Sequence, residues 1–337
     1  MDILNYNWVK TRAIGKGAFG EVHMAIPQSP NMDYSKLLVP TIAVKSAEFK
    51  DSSSLQKEGS ILFMLNDCPG IVHCYGEDIS DEGDGRVYNL LLEFAPGGSL
   101  RNLMQRSSER KLPESDVRRY TRMILKALIH IHERGYAHCD IKPENILVFP
   151  SNNGGNNVKI ADFGLAQKTQ DGVRSCSPRG NGSHCGDIRF ASILHGSNIR
   201  SMDIWDLGYM VAEMLTGKSI WEYREFWILG RQLSSGVKKP RNRQKCQIPH
   251  NLSNTGRDFV IKCLDRRSEH TLTAERLLNH PFIVGEPNEL VDDEDEMVSS
   301  RISVDGGEWV SRISMFGILS GSTVDPCLSD LTNVRCL

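Results

Sequence analysis

The stretch His138-Cys139-Asp140-Ile141-Lys142-Pro143-Glu144-Asn145 gathers an acid, a lysine and an amide within a few residues. Asp140 and Asn145 stand five positions apart, a spacing that a loop can bring to one reacting centre. There Asp140 would accept the proton of an attacking hydroxyl, and Asn145 would hold a Mg²⁺ ion. Lys142 is placed to neutralise charge on a transferring phosphoryl group. Further on, Asp162 opens Asp162-Phe163-Gly164 after a pair of hydrophobic strand-like runs. Its carboxylate would chelate a Mg²⁺ bridging the β- and γ-phosphates of a nucleotide.

Three upstream features extend that chemistry. Gly15-Lys16-Gly17-Ala18-Phe19-Gly20-Glu21-Val22 has the form G-x-G-x-x-G-x-V. Glycines at Gly15, Gly17 and Gly20 let a backbone approach phosphates with its N–H groups turned to the anion. A dinucleotide fold would continue into a helix. Here alternating strand residues follow, so the turn lies between two strands and would cover a nucleotide as a flap. Lys45 closes Ile42-Ala43-Val44-Lys45, and Glu58 follows thirteen residues later. Singly, each reads as an ordinary charged side chain. As a pair they match a lysine that holds the α/β-phosphates and a helix glutamate that orients it.

The elements that must position these groups are legible in outline. Val22, Met24 and Ile26 alternate, while Thr41–Val44 and Val87–Glu93 are short apolar runs of strand type. Pro27–Pro40 reads as a long hairpin connection. Leu55, Leu62 and Leu65 share a helical face with Glu58 beside it. Val117, Tyr120, Ile124, Leu128 and Ile131 form an amphipathic helix ending near Gly135. Residues 203–215 are apolar on nearly every side, as in a helix buried within a domain. Early strands and later helices predict an α+β fold with a small β-rich lobe, about residues 1–93, and a larger helical lobe, about 97–282.

Length and charge set the outer bounds. The chain has 337 residues, enough for two lobes plus a tail. With 39% hydrophobic residues, 24% charged residues and a net charge of −2, it has material for a core and no excess charge to draw it to nucleic acid or anionic lipid. No run of 18 apolar residues reads as a membrane span, and the first residues lack a signal-peptide pattern. Nine cysteines without CxxC spacing suit reduced thiols in a cytoplasmic protein and give no zinc-ligand pattern. The charge is unevenly divided: residues 286–337 carry eleven Asp/Glu against three Arg. That switch marks a boundary near residue 285 and predicts a mostly disordered acidic tail. The basic cluster Lys238–Lys245 reads first as a solvated loop, with nuclear import, docking of an acidic partner and contact with the chain's own tail as the alternatives.

Taken together, these motifs in this order resemble the eukaryotic protein kinases over about residues 8–282. The resemblance implies a two-lobed fold with ATP in the cleft and Mg²⁺ held by Asn145 and Asp162. It also implies a catalytic set of Asp140, Lys142, Lys45 and Glu58. Leu90–Leu100 resembles the family's hinge, with Leu92 as gatekeeper and backbone groups of Glu93 and Ala95 facing adenine. Val22, Ala43 and Leu147 would sandwich the adenine ring, beneath a flap that starts at Ile14. Leu62, His138 and Phe163 fall on the hydrophobic column of active members. Asp203-Ile204-Trp205-Asp206-Leu207-Gly208 resembles the helix whose aspartate supports the catalytic loop. Lys142, two residues after Asp140, is the Ser/Thr-specific pattern. The phrase His138–Leu147, the hinge, the Leu277–Phe282 end and the acidic tail are similar to the plant MEKK-like mitogen-activated protein kinase kinase kinases. On that likeness the substrates would be MAP kinase kinases.

Some positions depart from the family pattern. Cys139 replaces an arginine that pairs with an activation-loop phosphate, so activity is expected not to need a phosphate there. Leu194 replaces a glutamate, and Thr271 its arginine partner, removing both charges of a buried pair together. Asp187 replaces a threonine and would face Asp140 and Lys142. These substitutions motivate an alternative in which the chain is a pseudokinase or scaffold with weak transfer. Ser175, Ser177 and Ser183 lie in a polar stretch, Gln170–His184, and are candidate phosphosites.

Overall fold

The computed structural model describes residues 7–17, 20–28, 41–83, 85–151, 154–169, 199–218, 252–264 and 272–285. Most of the Pro27–Pro40 connection, Gln170–His184 with its serines, Asp187, Leu194, Thr271, the Lys238–Lys245 cluster and the acidic tail lie outside the described residues.

The first part is a five-stranded antiparallel sheet in the order β1-β2-β3-β5-β4. Its strands are β1 (Asn7–Gly17), β2 (Gly20–Gln28), β3 (Ile42–Glu48), β4 (Cys74–Glu82) and β5 (Gly85–Glu93), with helix α1 (Ser53–Met64) between β3 and β4. Side-chain alternation divides β3 between two cores. Ala43 joins Leu90 and Leu92 in the main core, whereas Ile42 and Val44 pack with Ala25 and Leu91 on the other face, beside Trp8 and Tyr75. The register sets Ala43 opposite Leu92, and Lys45 opposite both Val22 and Leu90. Helix α1 buries Leu55, Glu58, Gly59, Ile61 and Leu62. Leu65 is buried as expected, but just past the helix end. Strands β1 and β4 had no alternating signal in the sequence because they are the sheet's edges, and much of β4 faces solvent.

The second part is helical: α2 (Leu100–Arg106), α3 (Glu114–Glu133), α4 (Arg200–Thr216), α5 (Asn254–Leu264), α6 (Ala274–Leu278) and α7 (Pro281–Val284). Helix α3 follows Pro113, carries Glu114 and Asp116 in its first turn and stops before Gly135, whose φ is +78°. Two small two-stranded sheets lie against these helices. One pairs β6 (Tyr136–Ala137) with β9 (Gln167–Lys168), the other β7 (Ile146–Pro150) with β8 (Asn156–Ile160). The link from β5 is clamped onto β7: Gly97 N–H donates to the Val148 carbonyl at 3.0 Å, and Val148 N–H to the Gly98 carbonyl at 2.8 Å. Ser99 then starts α2 with a capping box made with Asn102. The main core runs through both parts, from Leu62 and Leu92 to Leu128, Phe163 and Leu207. The expected α+β, two-part architecture is the one observed. Among the described residues, no helix is long and apolar enough to cross a membrane.

Candidate active site

The site forms where the sheet meets the helical part, and a lysine joins the two sides. Lys45 Nζ lies 2.7 Å from Glu58 Oε2 and 2.9 Å from Asp162 Oδ1. One cation thus ties β3, helix α1 and the loop after β8. Burial works against the Lys45 charge, but Glu58 and Asp162 outweigh it and leave the amine above its ordinary value. Burial is also the largest influence on Glu58, and it raises the carboxyl; Lys45 offsets only part of this, and the Asp162 charge adds to it. Glu58 is 1% exposed, and its Oε1 is buried without a hydrogen-bond partner.

Asp140, Lys142 and Asn145 form a second knot. Lys142 Nζ donates to Asp140 Oδ2 at 2.8 Å. Asn145 Nδ2 donates to the Asp140 carbonyl and to its Oδ2, each at 2.9 Å. With the amide nitrogen so engaged, the Asn145 amide oxygen is the atom left for a cation. The Asn145 backbone carbonyl accepts from Ala161 N–H at 2.9 Å, which holds the residue before Asp162 against this loop. Asp162 itself has φ +65°, an uncommon conformation for a residue other than glycine. One carboxylate and one amide oxygen make a hard, sparse donor set. That suits Mg²⁺, which keeps water and phosphate oxygens in its coordination shell. Among the described residues, no cluster of His, Cys, Asp and Glu would hold a metal by protein ligands alone.

Asp203 underlies the knot. Its two oxygens accept from His138 N–H at 2.9 Å and Cys139 N–H at 2.7 Å, and His132 Nε2 lies 2.8 Å from Oδ2. Cys139 is held at φ +63° by this grip. Burial pushes the Asp203 carboxyl up, yet the His132 hydrogen bond and the neighbouring groups hold it below its ordinary value. His138 is buried, which lowers its pKa, and its ring meets Phe163 edge-on at 4.7 Å. Leu62 and Phe163 are fully buried in the same core. The Cys139 thiol is buried among Ala137, Ile199 and Met202.

Most of the residues expected from the sequence to meet a nucleotide lie at the β1–β2 turn and on the face of the sheet that carries Ala43 and Leu92. Gly15 pairs with Val22 and Gly17 with Gly20 across the β1–β2 turn, while Ile14 remains exposed. Gly20 is required by a close approach: a Cβ there would lie 2.2 Å from the Ser46 carbonyl oxygen, and its φ is +139°. Val22 and Leu147 pack partly buried against the core that contains Ala43 and Leu92. Glu93 N–H is given to the His73 carbonyl at 2.9 Å, so a ligand at Glu93 could meet only its carbonyl. At Ala95 the carbonyl is engaged by Gly98 N–H at 3.1 Å, leaving the Ala95 N–H as the donor.

Sequence reasoning missed three supporting residues. His132 follows Leu128 by four on the buried face of α3, a spacing that could have revealed it. Lys159 holds both Glu93 carboxylate oxygens at 2.8 Å, and Arg101 bridges Glu144 at 2.7 Å and Glu213 at 2.8 Å. These pairs span 66, 43 and 112 residues, beyond any local pattern.

A protein kinase domain profile matches residues 8–283. The chain is 40% identical over 283 residues to Mitogen-activated protein kinase kinase kinase 20 of Arabidopsis thaliana, covering 82% of this chain and 78% of the relative. It is 34% identical over 295 residues to Mitogen-activated protein kinase kinase kinase 18 of the same plant, covering 85% and 80%. Against Mitogen-activated protein kinase kinase kinase ANP1, also from Arabidopsis thaliana, identity is 33% over 295 residues, covering 84% and 40%.

Proposed function

The chain belongs to the protein kinase family, as an ATP-dependent Ser/Thr kinase of the MAP kinase kinase kinase type, and from that premise we propose that it phosphorylates MAP kinase kinases on serine and threonine hydroxyls. The observation that carries the proposal is the joined set of ion pairs and hydrogen bonds running from Glu58 through Lys45 to Asp162 and, across the Ala161–Asn145 link, to Asp140 and Lys142.

In this reading Lys45 binds the α/β-phosphates and Glu58 fixes its direction. Asn145 and Asp162 would hold Mg²⁺, which when bound supplies charge neutralisation to the phosphate oxygens. Asp140 orients the acceptor hydroxyl and takes its proton, and Lys142 exchanges its Asp140 partner for the transferring phosphoryl group. Catalysis then rests on positioning and preorganised charge, with little covalent chemistry left to the protein. The scaffold alternative finds no support among the described residues, since this set is intact, and Asp187 and Leu194 lie outside them.

The test is transfer from labelled ATP with Mg²⁺ to a kinase-inactive MAP kinase kinase. Asp140→Asn is expected to lower turnover by about 10²–10⁴-fold, and Asp162→Asn to remove it. Wild type and both variants equally silent while folded would overturn the proposal.

A further inference from the structure

Helix α1 must sit close enough to the sheet for Glu58 to reach Lys45, and the residue after Glu58 is Gly59. Glycine in the middle of a helix is costly, and alanine is the better helix former. Gly59 has no left-handed backbone to excuse it. What it has is a tight seat. A Cβ at Gly59 would lie 3.0 Å from Leu90 Cδ1 and 3.2 Å from the Tyr88 hydroxyl.

Neither neighbour yields easily. Leu90 is 1% exposed on β5, and the strand register sets it directly opposite Lys45. Tyr88 is buried two residues earlier on the same face, and its hydroxyl donates to Glu77 on β4. The floor beneath Gly59 is therefore level with the Lys45–Glu58 pair and pinned from the far edge of the sheet. A buried ion pair repays its desolvation only in good geometry. Lys45 sits 2.7 Å from one Glu58 oxygen, and that short approach holds only while the helix is seated on the sheet.

We propose that Gly59 is a positioning residue: its missing side chain sets the height of α1 over Leu90 and Tyr88, and so the closure of the Lys45–Glu58 pair. The inference deepens the kinase reading and rests on it for its kinetic consequence. It makes the sheet side of α1 a steric stop, where one methyl group trades helix propensity against ion-pair closure.

The experiment is a mutant cycle between Gly59→Ala and the pair Leu90→Val with Tyr88→Phe, which deletes both atoms nearest the added methyl. Gly59→Ala is expected to lower kcat by about 10-fold or more, while adenosine, which lacks phosphates, binds with unchanged affinity by calorimetry. In the Leu90→Val, Tyr88→Phe background the same change is expected to cost less than about 2-fold. Retained kcat in Gly59→Ala, or an equal loss in both backgrounds, would overturn the proposal. A crystal structure of Gly59→Ala reads the seat without any assay: the 2.7 Å pair is expected to open past about 4 Å, the limit of an ion pair. A pair still closed at its present length would also overturn it. Failure of the kinase reading looks different, because wild type itself would then transfer nothing.

Discussion

Glu58 and Asp203 are both buried carboxylates, one on each side of the site, and their surroundings differ sharply. Asp203, at 0% exposure, receives two backbone N–H groups and faces the His132 ring, and its pKa falls below the ordinary value. Glu58, at 1%, has Lys45 on one oxygen and no partner on the other, and its pKa rises. Burial is the same in both. The donors around Asp203 set its direction, and fewer donors together with the Asp162 charge set that of Glu58. The comparison teaches that the helical side is locked around its carboxylate, whereas the α1 side is held by the Lys45–Glu58 pair, the Lys57 hydrogen bond to the Ala166 carbonyl at 2.7 Å and the fit of a helix on a sheet.

The largest test of this contrast is Asp203→Ala, which strands the His138 and Cys139 N–H groups in the core. A loss of about 3–5 kcal/mol in denaturant unfolding is expected, with transfer lost alongside; a cost below about 1 kcal/mol would break the comparison. Glu58→Gln should do the reverse. Transfer is expected to fall by about 10²-fold while unfolding stability stays within about 1 kcal/mol of wild type. Parallel assays of kcat and urea midpoint separate the two variants. Ser99→Ala removes the cap that starts α2 beside β7 and is expected to cost about 1 kcal/mol, with kcat nearly unchanged.

The smallest effect is in pH. A carboxyl raised by folding ionises first in the unfolded chain, so its contribution favours the native state at low pH and fades as pH rises through its folded value. The stability of Glu58→Gln relative to wild type is therefore expected to increase as pH rises from about 4.3. Asp203 has the opposite sign: its contribution is present above the unfolded carboxyl value and is lost as pH falls through the lower, folded one. Urea unfolding of wild type against Glu58→Gln above about pH 4.3 checks the first slope, and of wild type against Asp203→Asn below about pH 3.9 the second.

How much of this could be read along the chain depends on distance in sequence. Asp140, Lys142 and Asn145 lie within one loop, so their spacing already implied their meeting. Strand β3 and helix α1 announced themselves through apolar periodicity, and α3 through its long buried face. Strands β1 and β4 did not, because an edge strand with much of its surface in water has no apolar alternation to display. The place of His132 on the buried face of α3 was legible from its spacing, but its role was not: its partner Asp203 lies 71 residues on and meets it only in the fold.

The sequence by itself determined the chemistry on offer: which groups carry charge, which glycines allow a close backbone approach, and the order of strand and helix around them. Side-chain type and short-range periodicity are properties of neighbours along the chain, and they survive without a fold. Only the tertiary structure decided that Lys45 would be shared by Glu58 and Asp162, that Asp203 would gather three donors, and that Gly59 would rest on Leu90 and Tyr88. Those contacts depend on helix height and strand register to within a few tenths of an ångström, and that precision comes from close packing of the whole core.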